Sequence, residues 1–146
     1  GDSRDDMNVW RSIQQRAMAV MAPATPDFEI FTGDAVLLGA VQSGWNAWFD
    51  ASRETLANLP WIMVHGNHEA LSVNYLAQFA QPAMPGGELY FSLNYGPVHI
   101  LVLNDSTMGG IPDLVMSAQV DFMQRDLMAV DRARARARTS LEWIDP

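Results

Sequence analysis

A short apolar run, Trp61-Ile62-Met63-Val64, is followed after a single histidine by Gly66-Asn67-His68-Glu69. The run is β-prone and too short for a helix, so it reads as a buried strand. A strand that stops at a glycine and then delivers an amide, an imidazole and a carboxylate places polar side chains at its carboxyl end. Open α/β sheets form their ligand crevices there. Two further stretches look alike: Phe28 to Thr32 runs into Gly33-Asp34, and the chain opens on Gly1-Asp2-Ser3-Arg4. Three Gly-Asp or Gly-Asn corners, each followed by a helical pattern, point to one shared site.

The order of elements around these corners sets the fold class. Val9, Trp10, Ile13, Ala17, Val20 and Met21 form an apolar stripe at helical spacing, with Asn8 as the expected cap and Pro23 and Pro26 as the stop. After the strand at 28–32 and a loop from Ala35 to Gly44, Trp45, Trp48, Phe49 and Leu56 mark a second helix ending before Pro60. A helix carrying Leu71, Tyr75, Leu76 and Phe79 follows Glu69, and Pro82, Pro85, Gly86 and Gly87 make a loop. Leu89 to Leu93 and Val98 to Leu103 are expected strands, joined as a hairpin by Asn94-Tyr95-Gly96-Pro97. Beyond the loop Gly109-Gly110-Ile111-Pro112, a long helix is expected from about Ser117, with Val120, Phe122, Met123, Leu127 and Val130 inward. Strand and helix alternate in the first half, so its pairing is expected to be parallel. The hairpin then makes the sheet mixed. The expectation is an α/β fold, a mixed β-sheet flanked by helices, in one domain over residues 1–146.

Composition narrows the partners. The chain is 49% hydrophobic and 18% charged, enough for a packed core, and its net charge is −8. An acidic chain is a poor general binder of nucleic acid, because phosphate contacts need Lys and Arg. Arg132, Arg134, Arg136 and Arg138 stand two apart, so a helix points them in divergent directions, which suits a solvated helix end better than a binding patch. With no cysteine, disulfides, thiolate catalysis and Cys-ligated zinc are ruled out. No apolar run approaches the ~20 residues of a membrane span. No Gly-x-Gly-x-x-Gly or P-loop lysine follows a strand, which ranks a nucleotide-binding module low. Trp10, Trp45, Trp48 and Trp61 read as core, His65 and His99 as structural, and the methionines as gap-fillers.

Asp2, Asp34 and Asn67 are oxygen donors at successive corners. Two carboxylates and an amide carbonyl converging on one point need a cation to neutralise them. A divalent metal does so, and an aspartate between two metals can bridge them. With histidine added, the set suits Mn, Fe or Zn. Two metals ~3.5–4 Å apart can hold a hydroxide and clamp a phosphoryl group in line. His68 could then bind a phosphate oxygen or protonate the leaving group. Glu69 could orient His68 or cap the following helix.

Gly33-Asp34 followed after one helix by Gly66-Asn67-His68-Glu69 resembles the calcineurin-like metallophosphoesterases, and within them the purple-acid-phosphatase-type branch. Pro26-Asp27-Phe28, Trp45 to Phe49, Pro60, the hairpin Tyr90 to His99, Val102-Leu103-Asn104-Asp105-Ser106 and Gln119 through Leu127 are similar to the same branch. The resemblance implies part of that family's α/β/β/α sandwich. It also implies a site in which Asp2 binds a first metal, Asp34 bridges two metals and Asn67 binds the second, with the metals divalent or trivalent. His68 is then the substrate-contacting histidine or general acid. The implied reaction is hydrolysis of a small phosphorylated substrate by a hydroxide held between the metals. Compartment is left open by the residues, while the resemblance points towards export, periplasmic or extracellular.

Three departures qualify this. The family's first block is usually Asp-x-His, but the third place here is Arg4, which would contact the substrate phosphate instead. The purple acid phosphatases proper carry a tyrosine three residues beyond the bridging aspartate. Here that position is Leu37, so their charge-transfer colour is not expected. The family completes its site with a later histidine and a Gly-His-x-His block, yet nothing after His99 is a histidine, and Thr139 to Trp143 matches that region poorly. The expectation is therefore half of a two-metal site. Either the chain is part of a metal-dependent phosphoesterase that needs the rest of its domain or a partner chain, or it is a non-catalytic remnant kept for binding or structure. Apolar faces made to meet a second half would then be bare.

Overall fold

The computed structural model of the protein describes residues 1–4, 6–21, 26–80, 87, 89–105 and 113–142. The loops expected around 82–86 and 109–112, the stop at Pro23, and Ser106 and Trp143 lie outside the described residues. The chain divides into two compact units, one of Gly1–Gln81 with Asn104–Ile111 and one of Pro82–Leu103 with Pro112–Pro146.

The first unit contains α1 (Met7–Met21), β1 (Glu29–Phe31), α2 (Gln42–Asn58), β2 (Trp61–Met63) and α3 (Val73–Gln78). As expected, β1 and β2 pair in parallel, with Phe31 opposite Met63. The ladder extends past them through Val64 N–H to the Phe31 carbonyl at 2.9 Å. Alternation along the strands turns Phe31, Trp61 and Met63 to one side. There the Phe31 ring meets Trp10 of α1 and Trp48 of α2 edge-on, each with centroids 5.4 Å apart. Trp45, Trp48 and Tyr75 are fully buried in the same cluster, so Trp10, Trp45 and Trp48 are core residues, with Trp61 packed against them. On the other side Ile30 is 43% exposed.

Two details of α1 differ from expectation. Its cap is Asp6, not Asn8: Asp6 Oδ1 accepts from the N–H groups of Asn8 (2.9 Å) and Val9 (3.1 Å). Of the expected apolar stripe, Trp10 is buried and Ala17 half-buried. The helix turns Trp10 and Gln14 inward and leaves Val9, Ile13 and Val20 exposed, Val20 by 80%. Sequence spacing marks an apolar face but not whether anything packs against it.

The second unit contains the hairpin β3 (Phe91–Tyr95) and β4 (Val98–Val102) and the helix α4 (Asp113–Glu142). The turn is Gly96-Pro97, tighter than expected, because Asn94 and Tyr95 still pair with His99 and Val98. Gly96 at φ +54° followed by the fixed φ of proline suits a two-residue hairpin turn. The hairpin is its own two-stranded sheet. The described residues thus make one parallel and one antiparallel pair, not a single mixed sheet. α4 begins four residues earlier than Ser117, and of its expected inward residues Phe122 is buried while Val120 and Leu127 are exposed. His99 ties the hairpin to α4: its ring contacts Asn94 Oδ1 (2.7 Å) and Asp126 Oδ2 (2.5 Å), and Ser92 Oγ donates to Asp126 Oδ1. The four arginines from Arg132 to Arg138 lie exposed along α4. Among the described residues no helix is long and apolar enough to cross a membrane.

Candidate functional site

The parallel pairing of β1 and β2 puts their carboxyl ends side by side, so the corners Gly33-Asp34 and Gly66-Asn67 adjoin. Glycine is required at both. A Cβ on Gly33, itself at φ +83°, would lie 2.6 Å from the Gly66 Cα. A Cβ on Gly66 would run into the backbone nitrogen and Oδ1 of Asp34 and into the Glu69 carboxylate. The opening segment lies along the first corner: Asp2 N–H donates to the Gly33 carbonyl and Ser3 N–H to that of Asp34, both at 2.9 Å. Asp2 (φ 61°) and Asp34 (φ 59°) both occupy the left-handed region, which short polar side chains tolerate better than most.

The aromatic core holds these loops from below. Trp48 Nε1 donates to Ser3 Oγ at 3.1 Å, Ser3 Oγ donates to the Ala35 carbonyl at 3.3 Å, and Trp45 Nε1 donates to the Gly39 carbonyl at 2.7 Å. Buried indole N–H groups need partners, and here those partners are the backbone and side chains that form the site.

Glu69 neither orients His68 nor caps α3, whose cap is Ser72, accepting from Tyr75 N–H. Its side chain instead turns back under both corners. Oε2 accepts the N–H groups of Asp34 (3.0 Å) and Gly66 (2.8 Å), and Oε1 accepts that of Ala35 (2.8 Å). At 1% exposure this carboxylate is among the most buried groups of the chain, and backbone donors solvate it in place of water. The turn that carries it is strained, with Ala70 (φ 48°) and Leu71 (φ 54°) both left-handed. Leu71 N–H donates to His65 Nε2 at 3.1 Å, and Ser72 N–H to the Glu69 carbonyl at 2.9 Å. His65 is thus structural. Its other ring nitrogen, Nδ1, lies 3.2 Å from Nδ2 of Asn104. Burial lowers the His65 pKa, opposed in part by the charge of Asp34.

His68 sits on the same turn. Its backbone N–H donates to Asp34 Oδ1 at 3.1 Å, and its Nδ1 lies 2.7 Å from the Leu37 carbonyl. A carbonyl only accepts, so Nδ1 carries a proton and Nε2 is the nitrogen left to take or give one. Arg4 reaches across the opening: Nη1 is 2.6 Å from Asp2 Oδ1 and 2.6 Å from Asp34 Oδ2. The Asp34 carboxylate therefore links His68 to Arg4, and Arg4 links it in turn to Asp2. Asn67 stands in the same turn between Gly66 and His68.

The donor set does not fit a two-metal centre as it stands. Both oxygens of Asp34 are engaged, one by a guanidinium and one by a backbone N–H. Among the described residues no three His, Cys, Asp or Glu side chains are grouped as metal ligands. The role of Glu69 was the main feature not anticipated.

The family described as calcineurin-like phosphoesterase matches residues 6–141. Curated relatives include three proteins of Arabidopsis thaliana. Purple acid phosphatase 13 is 30% identical, covering 70% of this chain and 21% of the relative. Purple acid phosphatase 23 is 30% identical, covering 74% and 25%. Purple acid phosphatase 21 is 32% identical, covering 74% and 27%. The chain thus spans about a quarter of the length of these relatives. No solved structure matches it significantly.

Proposed function

Because the chain belongs to the calcineurin-like phosphoesterase family, of the purple-acid-phosphatase type, we propose that it carries half of a phosphate-ester site and, taken alone, is a non-catalytic module of that fold. Its task is binding or structural until the remaining half of the domain, or a partner chain, supplies further ligands. The observation that carries this reading is the Asp2–Arg4–Asp34 bridge. A single guanidinium already occupies the space between the two carboxylates that would receive a first cation. Asp2, Asp34 and Glu69 against a single arginine also leave the cluster negative. A phosphate would not be drawn to it without added positive charge.

A second reading is favoured by His68. With Nδ1 held at the Leu37 carbonyl, Nε2 of a protonated His68 would give its proton to a leaving alkoxide. In this reading Asp2, Asp34 and Asn67 are metal ligands, Arg4 and His68 contact the phosphate, and a completed chain is a metal-dependent phosphoesterase acting on a small phosphorylated substrate.

The two are separated by assaying p-nitrophenyl phosphate with this chain, with and without added Mn²⁺, beside Asp34→Asn and His68→Ala. The module reading expects no turnover above buffer in any sample. Mn²⁺-dependent turnover that both substitutions abolish would establish the hydrolase instead.

A further inference from the structure

The position of Arg4 is better explained by the carboxylates than by a substrate. One nitrogen, Nη1, serves both Asp2 Oδ1 and Asp34 Oδ2, so the two oxygens approach within about 5 Å of each other around a positive charge. The backbone forces that approach. Asp2 and Ser3 are hydrogen-bonded to the first corner, and Asp34 is fixed from the far side by Glu69 at its own N–H and by His68 at Oδ1. The Asp34 carboxylate cannot retreat without losing the His68 N–H, while the Asp2 side chain, 65% exposed, completes the bridge from the solvent side. Two like charges this close favour a cation between them. Arg4 is three-quarters buried on this bridge, and Asp34 more so.

We propose that the Arg4 guanidinium is a tethered internal cation that occupies the place of a divalent metal between Asp2 and Asp34 and competes with one for it. A divalent cation entering there must displace Arg4 and then compensate a third nearby carboxylate, that of Glu69, without its help. Arginine suits the task because its guanidinium is delocalised and more weakly hydrated than an ammonium, which favours buried ion pairs. The inference concerns occupancy, not turnover. A chain that hydrolyses phosphate esters would sink the module reading while leaving this one to the metal titration.

The test titrates Mn²⁺ into the whole chain by calorimetry, comparing wild type, Arg4→Ala and Arg4→Lys, with inorganic phosphate titrated in parallel. Competition predicts that Arg4→Ala binds Mn²⁺ roughly 5–150-fold more tightly than wild type, the range of ordinary coupling between sites, and that Arg4→Lys stays near wild type. Equal or weaker Mn²⁺ binding by Arg4→Ala overturns the proposal. So does metal-free phosphate binding by wild type that Arg4→Ala loses, which would make Arg4 an anion ligand. Should Arg4→Ala not fold, the Arg4 guanidinium N–H resonances of wild type decide. Slow exchange with water in the absence of metal is expected, and fast exchange typical of a solvated arginine contradicts it.

Discussion

Glu29 and Gly66 carry the sharpest expectations for single residues. Burial raises the Glu29 carboxyl above its ordinary value of 4.5, against the lowering effects of the Gln14 hydrogen bond and the chain's amino terminus. Glu29 therefore keeps its proton to a higher pH in the folded chain than in the unfolded one. Its contribution is most favourable below about pH 4.5 and declines as pH rises through the raised value. Glu29→Gln keeps an oxygen for Gln14 and removes that decline. Urea midpoints should then favour the variant increasingly from about pH 4.5 upward until the difference levels off. Gly66→Ala places a methyl against Asp34 and Glu69. We expect a loss of on the order of 2–3 kcal/mol by urea denaturation, the range for overpacking a closed site. The glycine and aspartate positions were legible because a turn residue after an apolar run is a local signal. The use made of Glu69 was not, since its partners are backbone N–H groups of Asp34, Ala35 and Gly66, which look alike in every sequence.

At the scale of elements, the parallel pair β1–β2 and the helix between them followed from the alternation of strand and helix patterns. Boundaries and sheet membership did not. Asp6 and Asn8 are both good caps, and only the chain's path selects Asp6. Asp6→Ala should lower stability by about 1 kcal/mol, measured as a shift in thermal midpoint, whereas Asn8→Ala should leave it nearly unchanged. Whether the hairpin joins the parallel strands depends on residues far from Gly96-Pro97, and the turn signal that predicts a hairpin carries no information about its neighbours. The apolar stripe of α1 was misjudged for a related reason: periodicity predicts a face, and burial of Val9, Ile13 and Val20 needs something to cover them.

For the molecule as a whole, Val9, Ile13 and Val20 of α1 and Ile30 of β1 are exposed, in a chain that spans about a quarter of the length of its relatives. Parallel strands are ordinarily covered on both sides. Two corners separated by a helix behave as one unit because a single buried carboxylate joins them. Amide hydrogen exchange of wild type and Glu69→Gln tests it directly. An amide side chain cannot accept at both ends, so at least one donor loses its partner at a cost of roughly 1–3 kcal/mol. The account predicts that the Asp34, Ala35 and Gly66 amides are protected in wild type and that all three exchange faster together in the variant, with the amides of α4 unchanged. Unaltered protection at Asp34 and Ala35, with any change confined to the turn at 67–71, would contradict it.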